Sequence, residues 1–263
     1  MVDDTTTLSA KVRALLEAYR QGDLDADKAE GQLLSLVYQE GVELLIDVHR
    51  SRRLGFPEIV YAPGKTVPQV LEASMALLEH TGRAFVWGVD DALERELTGR
   101  FDGCETARSH RLMLLRRDSA GTGRPAGMVG LITAGAADVP FASETRLLLE
   151  ELGCRVVCAF DMGASGMHRP LIGLKRASRA DVLVVFAGMD GVLPTLVASL
   201  TDRPVVAVPT PVGYGHGGCG EAALATMLQC CVPGVCVVNI GNTIGAAASA
   251  LRILNAVQRG QGG

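Results

Sequence analysis

The stretch DVLVVFAGMDGVLPTLVASLTDRPVVAVPTP, Asp181 to Pro211, decides the fold. Val182–Phe186 is an unbroken apolar, β-rich run. A glycine-bearing turn follows at Ala187–Gly191, then a helical pattern at Val192–Leu200 and a second apolar run at Val205–Val208. Strands that are apolar on both faces, with helices between them, belong to a parallel sheet covered on both sides. The same alternation extends outward. Met128–Thr133, Arg155–Phe160 and Val235–Ile240 read as further strands. Ala142–Leu152, Pro170–Ser178, Glu221–Gln229 and Ala246–Val257 read as helices. The expected fold of residues 128–263 is α/β, a doubly wound parallel sheet of flavodoxin- or Rossmann-like type.

The preceding chain has a different rhythm. Leu8, Val12, Leu15, Leu16 and Tyr19 recur at helical spacing, as do Leu33, Leu34 and Val37. Val42–Val48 and Glu58–Tyr61 read as short strands. Thr66-Val67-Pro68-Gln69 is a capping box with proline in the first turn, and predicts a helix to about Thr81. Ala84–Val89 and Arg111–Arg116 are strand candidates. Residues 1–117 are therefore expected to form a small α+β domain. Asp118–Gly127, DSAGTGRPAG, has the composition of a linker.

Composition narrows the function. The 263 residues are 48% hydrophobic, enough for a sizeable core. A net charge of -4 and 4% aromatic residues provide neither a basic face nor stacking platforms, so nucleic acid is not an expected partner. The uncharged span Ala222–Leu251 is broken by Pro233, Gly234, Asn239, Asn242 and Gly245, unlike a membrane helix. The acidic start MVDDTTT has no apolar run of the secretory kind, and the seven cysteines are an odd count. A reducing cytoplasmic setting is expected. Cys104, Cys154, Cys158 and Cys236, lying among apolar residues, are expected in the core.

Ligands of doubly wound sheets bind beyond the carboxyl ends of the strands. Here those ends are Ala134–Asp138, Asp161–His168, Ala187–Gly191, Pro209–Cys219 and Gly241–Gly245, all of them glycine-bearing. The richest is VGYGHGGCGEAALATMLQCC, Val212 to Cys231. Gly213, Gly215 and Gly218 spell a dinucleotide fingerprint. However, it follows the fourth strand rather than the first, and no acid follows Glu221 to hold a ribose. A Walker loop lacks its lysine. A zinc site at His216, Cys219, Cys230 and Cys231 is opposed by helical spacing, which sets Cys219 and Cys230 on the order of 15 Å apart. Cys230 and Cys231 end a helix, where the dipole does not favour a thiolate.

GFPEIVYAPGKT (Gly55–Thr66), AGAADVPFA, GMHRPL, AGMDGVLPTLVA, VAVPTPVGYG and GVCVVNIGN occur in this order. From about Leu45 to Leu254 the chain resembles the LarB-type enzymes of nickel-pincer cofactor biosynthesis. Their second domain is similar to the PurE-type aminoimidazole ribonucleotide carboxylases. The resemblance implies carboxylation of the pyridinium ring of nicotinic acid adenine dinucleotide by CO2 or bicarbonate, with hydrolysis of the phosphoanhydride. The products would be pyridinium-3,5-biscarboxylic acid mononucleotide and AMP. It also implies Mg2+ as cofactor, with metal ligands unassigned, and a homo-oligomer, an octamer.

Aligning MLQC with the family's MLNS places the nucleophile at Cys231, with Cys230 as substitute. Asp138 and His168 match catalytic or substrate-contacting positions. Gly135, Gly188, Asp190, Gly213, Tyr214, Gly215 and Asn239 are expected to line the dinucleotide site. Arg52, Arg53 and Lys65 are candidates for phosphates, or plain surface charge. Three departures stand out: Ala136-Ala137 where the family commonly has Thr-Ser, Asp190 where it has Glu, and Gly241 where it has Asp. They keep open a catalytically altered pyridine-dinucleotide-binding paralogue, while the GMHRP segment keeps open a PurE-like ribonucleotide carboxylase or mutase.

Overall fold

The computed structural model describes residues 4–36, 39–40, 44–117 and 127–261. Val37, the Val42 end of the first expected strand and residues 118–126 of the expected linker lie outside these. The chain divides into two units, Met1–Ala120 and Gly121–Gly263.

In the first unit, α1 (Asp4–Gln21) and α2 (Ala26–Ser35) form a helical hairpin. Asp25 caps α2 by accepting from the Lys28 amide at 2.8 Å. β1 (Gln39–Glu40) and β2 (Leu45–Ile46) pair antiparallel, and α3 (Arg50–Leu54) ends at Gly55 in the left-handed region. β3 (Ile59–Tyr61), α4 (Val67–Thr81) and β4 (Arg83–Trp87) make a parallel strand pair with a helical crossover. The Thr66–Gln69 capping box starts α4, with the Thr66 amide donating to Gln69 Oε1 at 2.9 Å. α5 (Asp91–Arg100), β5 (Glu105–Ser109) and β6 (Leu112–Arg116) complete a four-stranded sheet of order β3-β4-β6-β5. Val60, Leu78, Val86, Leu97, Phe101 and Leu115 belong to its core.

Four of these elements, β1, α3, α5 and β5, are absent from the sequence reading. α5 buries only Leu97, so its apolar period is too faint to read. β5 pairs with β6 alone and buries no residue, so its sequence carries no run or alternation of apolar residues.

The second unit is the expected α/β fold. β7 (Met128–Thr133), β8 (Arg155–Ala159), β9 (Val182–Ala187), β10 (Val205–Pro209) and β11 (Val235–Val237) form a parallel sheet of order β11-β10-β9-β7-β8. Its helices are α6 (Val139–Glu151), α7 (His168–Arg176), α8 (Leu193–Ala198), α9 (Glu221–Leu228) and α10 (Thr243–Gln261). All six residues of β9 are buried, which is why its sequence is continuous rather than alternating. Val184 aligns with Leu131 on one side and Val206 on the other.

α7, α8 and α9 cover one face, where Met162, Ala177, Leu193, Val197, Ala223 and Met227 meet Ile132, Leu183, Val185 and Ala207. α6 and α10 pack on each other and are tied by Thr243, whose hydroxyl donates to the buried Glu144 at 2.5 Å. No helix among the described residues is long and apolar enough to cross a membrane.

β11 is shorter than the expected Val235–Ile240. Asn239 folds back, its Oδ1 accepting from the Ile240 amide at 2.8 Å, and Gly241 turns at φ 64. As an edge strand, β11 leaves Cys236 exposed, which corrects its expected core place. Cys154 is buried, and burial pushes its thiol up to about 11. Cys104 and Cys158 are half-buried.

Candidate functional site

The order β11-β10-β9-β7-β8 reverses direction at β7. From there the chain goes outward to β8, then back across to β9. Between the carboxyl ends of β7 and β9 the connections leave in opposite directions and open a crevice. The loops Gly135–Asp138 and Gly188–Gly191 meet there, and the loop after β10 closes over them.

Asp138 joins the three. It ends a 3-10 turn over Ala136–Asp138, immediately before α6, and is 2% exposed. Its Oδ2 accepts from the Gly135 amide at 2.8 Å, and its Oδ1 from the Thr210 hydroxyl at 2.5 Å. The Gly188 backbone also donates to it. Burial raises its pKa above the ordinary carboxylate value, outweighing the lowering by Thr210, Gly135 and Gly188. With both oxygens engaged inside the protein, Asp138 first of all pins the loops.

Backbone strain collects on this same edge. Asp161, Met189 and Cys219 are non-glycine residues in the left-handed region, with φ of 61°, 50° and 56°. Such conformations cost of order 1–3 kcal/mol each and concentrate at functional loops. Two of the three are held by their surroundings. The Asp161 amide donates to the buried Thr133 hydroxyl at 3.1 Å, and the Met189 amide to the Val212 carbonyl at 2.6 Å. The rim carries exposed His168, the first residue of α7, and Arg169, whose guanidinium lies 3.4 Å from Asp161 Oδ2.

The other expected residues divide by what surrounds them. Gly188 is buried, and a Cβ there would lie 2.2 Å from the Val212 carbonyl oxygen, so the position serves close backbone packing. Gly135 has more room, its nearest neighbour being Asp138 Oδ2 at 3.7 Å from such a Cβ. Gly213 turns at φ 147 beside Met189, Tyr214 is 81% exposed, and Gly215 at φ 73 faces open space. Asp190 is exposed and accepts from the Val192 amide at 3.3 Å. Asn239, also exposed, lies just past β11 on the same edge.

Cys231 is placed elsewhere. α9 starts at the carboxyl edge, where Ala223 packs on Gly191. It then runs toward the amino end of β11, carrying the chain about 10 Å away at 1.5 Å per residue. Cys231 is exposed beyond that far end, beside a half-buried Cys230 that accepts from the Thr195 hydroxyl at 3.3 Å. One polypeptide thus gathers Asp138, His168, Asp190, Tyr214 and Asn239 on one edge and leaves Cys231 off it. The exposed thiol that does share the edge is Cys219.

Among the described residues, no group of three or more His, Cys, Asp or Glu side chains is placed to hold a metal ion. The exposed carboxylates Asp161 and Asp190 are thus not part of such a group. The first-unit cations have local partners: Arg53 pairs with Asp47 at 2.5 Å, and Lys65 donates to the Tyr61 carbonyl at 2.8 Å. The Arg52 side chain lies outside the described residues. Thr210, Thr133 and Arg169 were not singled out from sequence. A threonine just past a strand looks like any turn residue until its partner across the sheet is known.

Residues 128–260 match the family model of AIR carboxylase, and residues 41–117 that of the LarB/PurE-like N-terminal domain. An uncharacterized protein of Methanocaldococcus jannaschii is 34% identical over 251 residues, covering 92% of this chain and 96% of its own length. The N5-carboxyaminoimidazole ribonucleotide mutase of the same organism is 33% identical, over 48% of this chain and 78% of the mutase. That of Pyrococcus horikoshii is 31% identical, over 48% and 72%. The chain therefore belongs to the AIR carboxylase family, among the members with a LarB/PurE-like N-terminal domain.

Proposed function

We propose that this chain carboxylates the pyridinium ring of nicotinic acid adenine dinucleotide and hydrolyses its phosphoanhydride. The observation that carries the reading is the switch-point crevice. Three loops locked by Asp138 carry Asp190 and Tyr214, with His168 and Asn239 on neighbouring loops of the same edge, in a family whose characterised relatives are named for a carboxylated ribonucleotide.

The chemistry asks for a nucleophile because a pyridinium ring is electron-poor and cannot attack CO2. The Cys231 thiolate adds to the ring carbon beside the target, forming a C–S bond and breaking aromaticity. The target carbon, now enamine-like, forms a C–C bond to CO2. It then loses its proton, the C–S bond breaks, and the thiolate leaves as aromaticity returns. This is nucleophilic catalysis through a reversible adduct. The cationic ring itself favours the thiolate form. Water attack on the phosphoanhydride releases AMP. Since α9 takes Cys231 away from its own crevice, the proposal includes a homo-oligomer in which Cys231 of one copy serves the crevice of another. Asp138 then acts by positioning, and His168 is the exposed group at the rim available to exchange the proton.

Incubation with the dinucleotide, bicarbonate and Mg2+ is expected to release AMP and a dicarboxylated mononucleotide, with a mass adduct trapped on Cys231. Equal turnover by Cys231→Ala would refute the thiol's role. Full activity of a strictly monomeric variant would refute its supply by another copy. The separation of Cys231 from the crevice favours one second reading, a mutase-like carboxyl transfer on an aminoimidazole ribonucleotide that uses no thiol. Turnover of that ribonucleotide without AMP release from the dinucleotide would select it.

A further inference from the structure

The hairpin of α1 and α2 precedes both matched family regions. Each helix packs mainly against the other. Between them runs an apolar groove of about 380 Å3, lined by Leu15, Leu16, Tyr19, Leu33 and Leu34 with Glu30 at its side. Leu16 is 53% and Tyr19 50% exposed, and among the described residues Ala29 is the one hydrophobic residue the hairpin buries. Two short helices cannot bury such a stripe alone, and helical hairpins of this kind are completed by further helices.

The charges of the two helices indicate what completes it. From Lys11 onward, α1 carries Lys11, Arg13 and Arg20 against Glu17, while α2 and its cap carry Asp25, Asp27 and Glu30 against Lys28. The hairpin therefore has a basic helix and an acidic helix side by side. A surface of this kind is self-complementary under a twofold axis, with α1 of each copy lying across α2 of the other. The apolar stripes then close on each other while opposite charges meet along both seams.

We propose that the α1–α2 hairpin is a homotypic docking module that pairs with the hairpin of a second copy into a four-helix bundle. This pairing does not depend on the reaction proposed above.

The test uses the full chain. A photo-crosslinking amino acid replaces Leu16, and protein of natural and heavy-nitrogen composition is mixed before irradiation, so that links between copies are told apart from links within one. Links between copies ending in residues 26–35 are expected. Arg13→Glu with Arg20→Glu is expected to lower their yield about fivefold, and adding Asp27→Lys with Glu30→Lys in the same chain to restore it. Unchanged circular dichroism keeps the variants interpretable, since all four positions are exposed. Links confined to one copy, links between copies that miss α2, or a yield indifferent to both charge swaps would each overturn the proposal. So would crosslinking to added anionic vesicles in place of a second copy.

Discussion

Replacing Thr210 by Val tests whether Asp138 holds the crevice together. The substitution keeps the branched shape and removes one hydroxyl, the donor 2.5 Å from Asp138 Oδ1, at a fully buried position. A hydrogen bond to an ionised carboxylate is worth about 1.5–3 kcal/mol, and one to a neutral partner about 1. The cost should therefore depend on the charge of Asp138. Burial raises its pKa in the folded protein, so between the unfolded value of 3.8 and the folded one the native state binds more protons than the unfolded chain. Stability from this group is fully present below the unfolded value and is lost as pH rises through the folded pKa. Thr210 is one of three hydrogen bonds limiting that loss, and its removal raises the pKa further.

The penalty of Thr210→Val is thus expected to be about 2 kcal/mol near pH 7.5 and to shrink toward about 1 kcal/mol near pH 4. Urea unfolding followed by far-ultraviolet circular dichroism measures it. Fluorescence would not serve, because the single tryptophan, Trp87, lies in the first unit. An equal penalty at both pH values would refute the charged hydrogen bond. A negligible one would refute the role of Asp138 in tying the loops.

Gly188→Ala forces a Cβ to within 2.2 Å of the Val212 carbonyl oxygen, and should lower stability by about 3 kcal/mol or more, read from the thermal midpoint. Gly215→Ala meets open space and carries only the left-handed penalty of about 1–2 kcal/mol, so similar losses in the two variants would contradict the packing role of Gly188. Cys231→Ala should abolish AMP release while leaving dinucleotide binding measurable by calorimetry, whereas Cys219→Ala should retain turnover; the reverse pattern would move the nucleophile to the crevice of the same chain. Arg108→Ala removes contacts to Asp91, Glu94 and the Val89 and His110 carbonyls. It should destabilise the first unit by about 1 kcal/mol, visible as an earlier urea midpoint in Trp87 fluorescence.

What the sequence made legible follows from burial. β7, β9 and β10 lie between neighbours on both sides, so their apolar runs are continuous and their ends fall within about a residue of expectation. The Thr66 cap could be read because a capping box is a local signal. β5, β11 and α5 were missed or misjudged because each has an open side, which frees its residues from any apolar pattern. For the site, glycines marked the loops but did not separate packing positions such as Gly188 from open ones such as Gly215. That distinction depends on what approaches from another strand. Thr210 and Asp138 are 72 residues apart, and no local pattern joins them.

The place of Cys231 follows from topology alone. A helix that links two parallel strands must return from the carboxyl edge to the amino edge, so a residue between α9 and β11 falls on the side opposite the crevice. The proposed reaction gives that cysteine a chemical role, and chain direction removes it from the place where the role would be exercised in one copy. Both hold together only if the working site is built from more than one copy. Mixing settles the matter. A Cys231→Ala chain with an intact crevice, combined with an Asp138→Asn chain that keeps its thiol, should regain turnover as hybrid assemblies form. If no mixing ratio restores activity, the thiol and the crevice must serve within a single chain, or the reaction does not use the thiol.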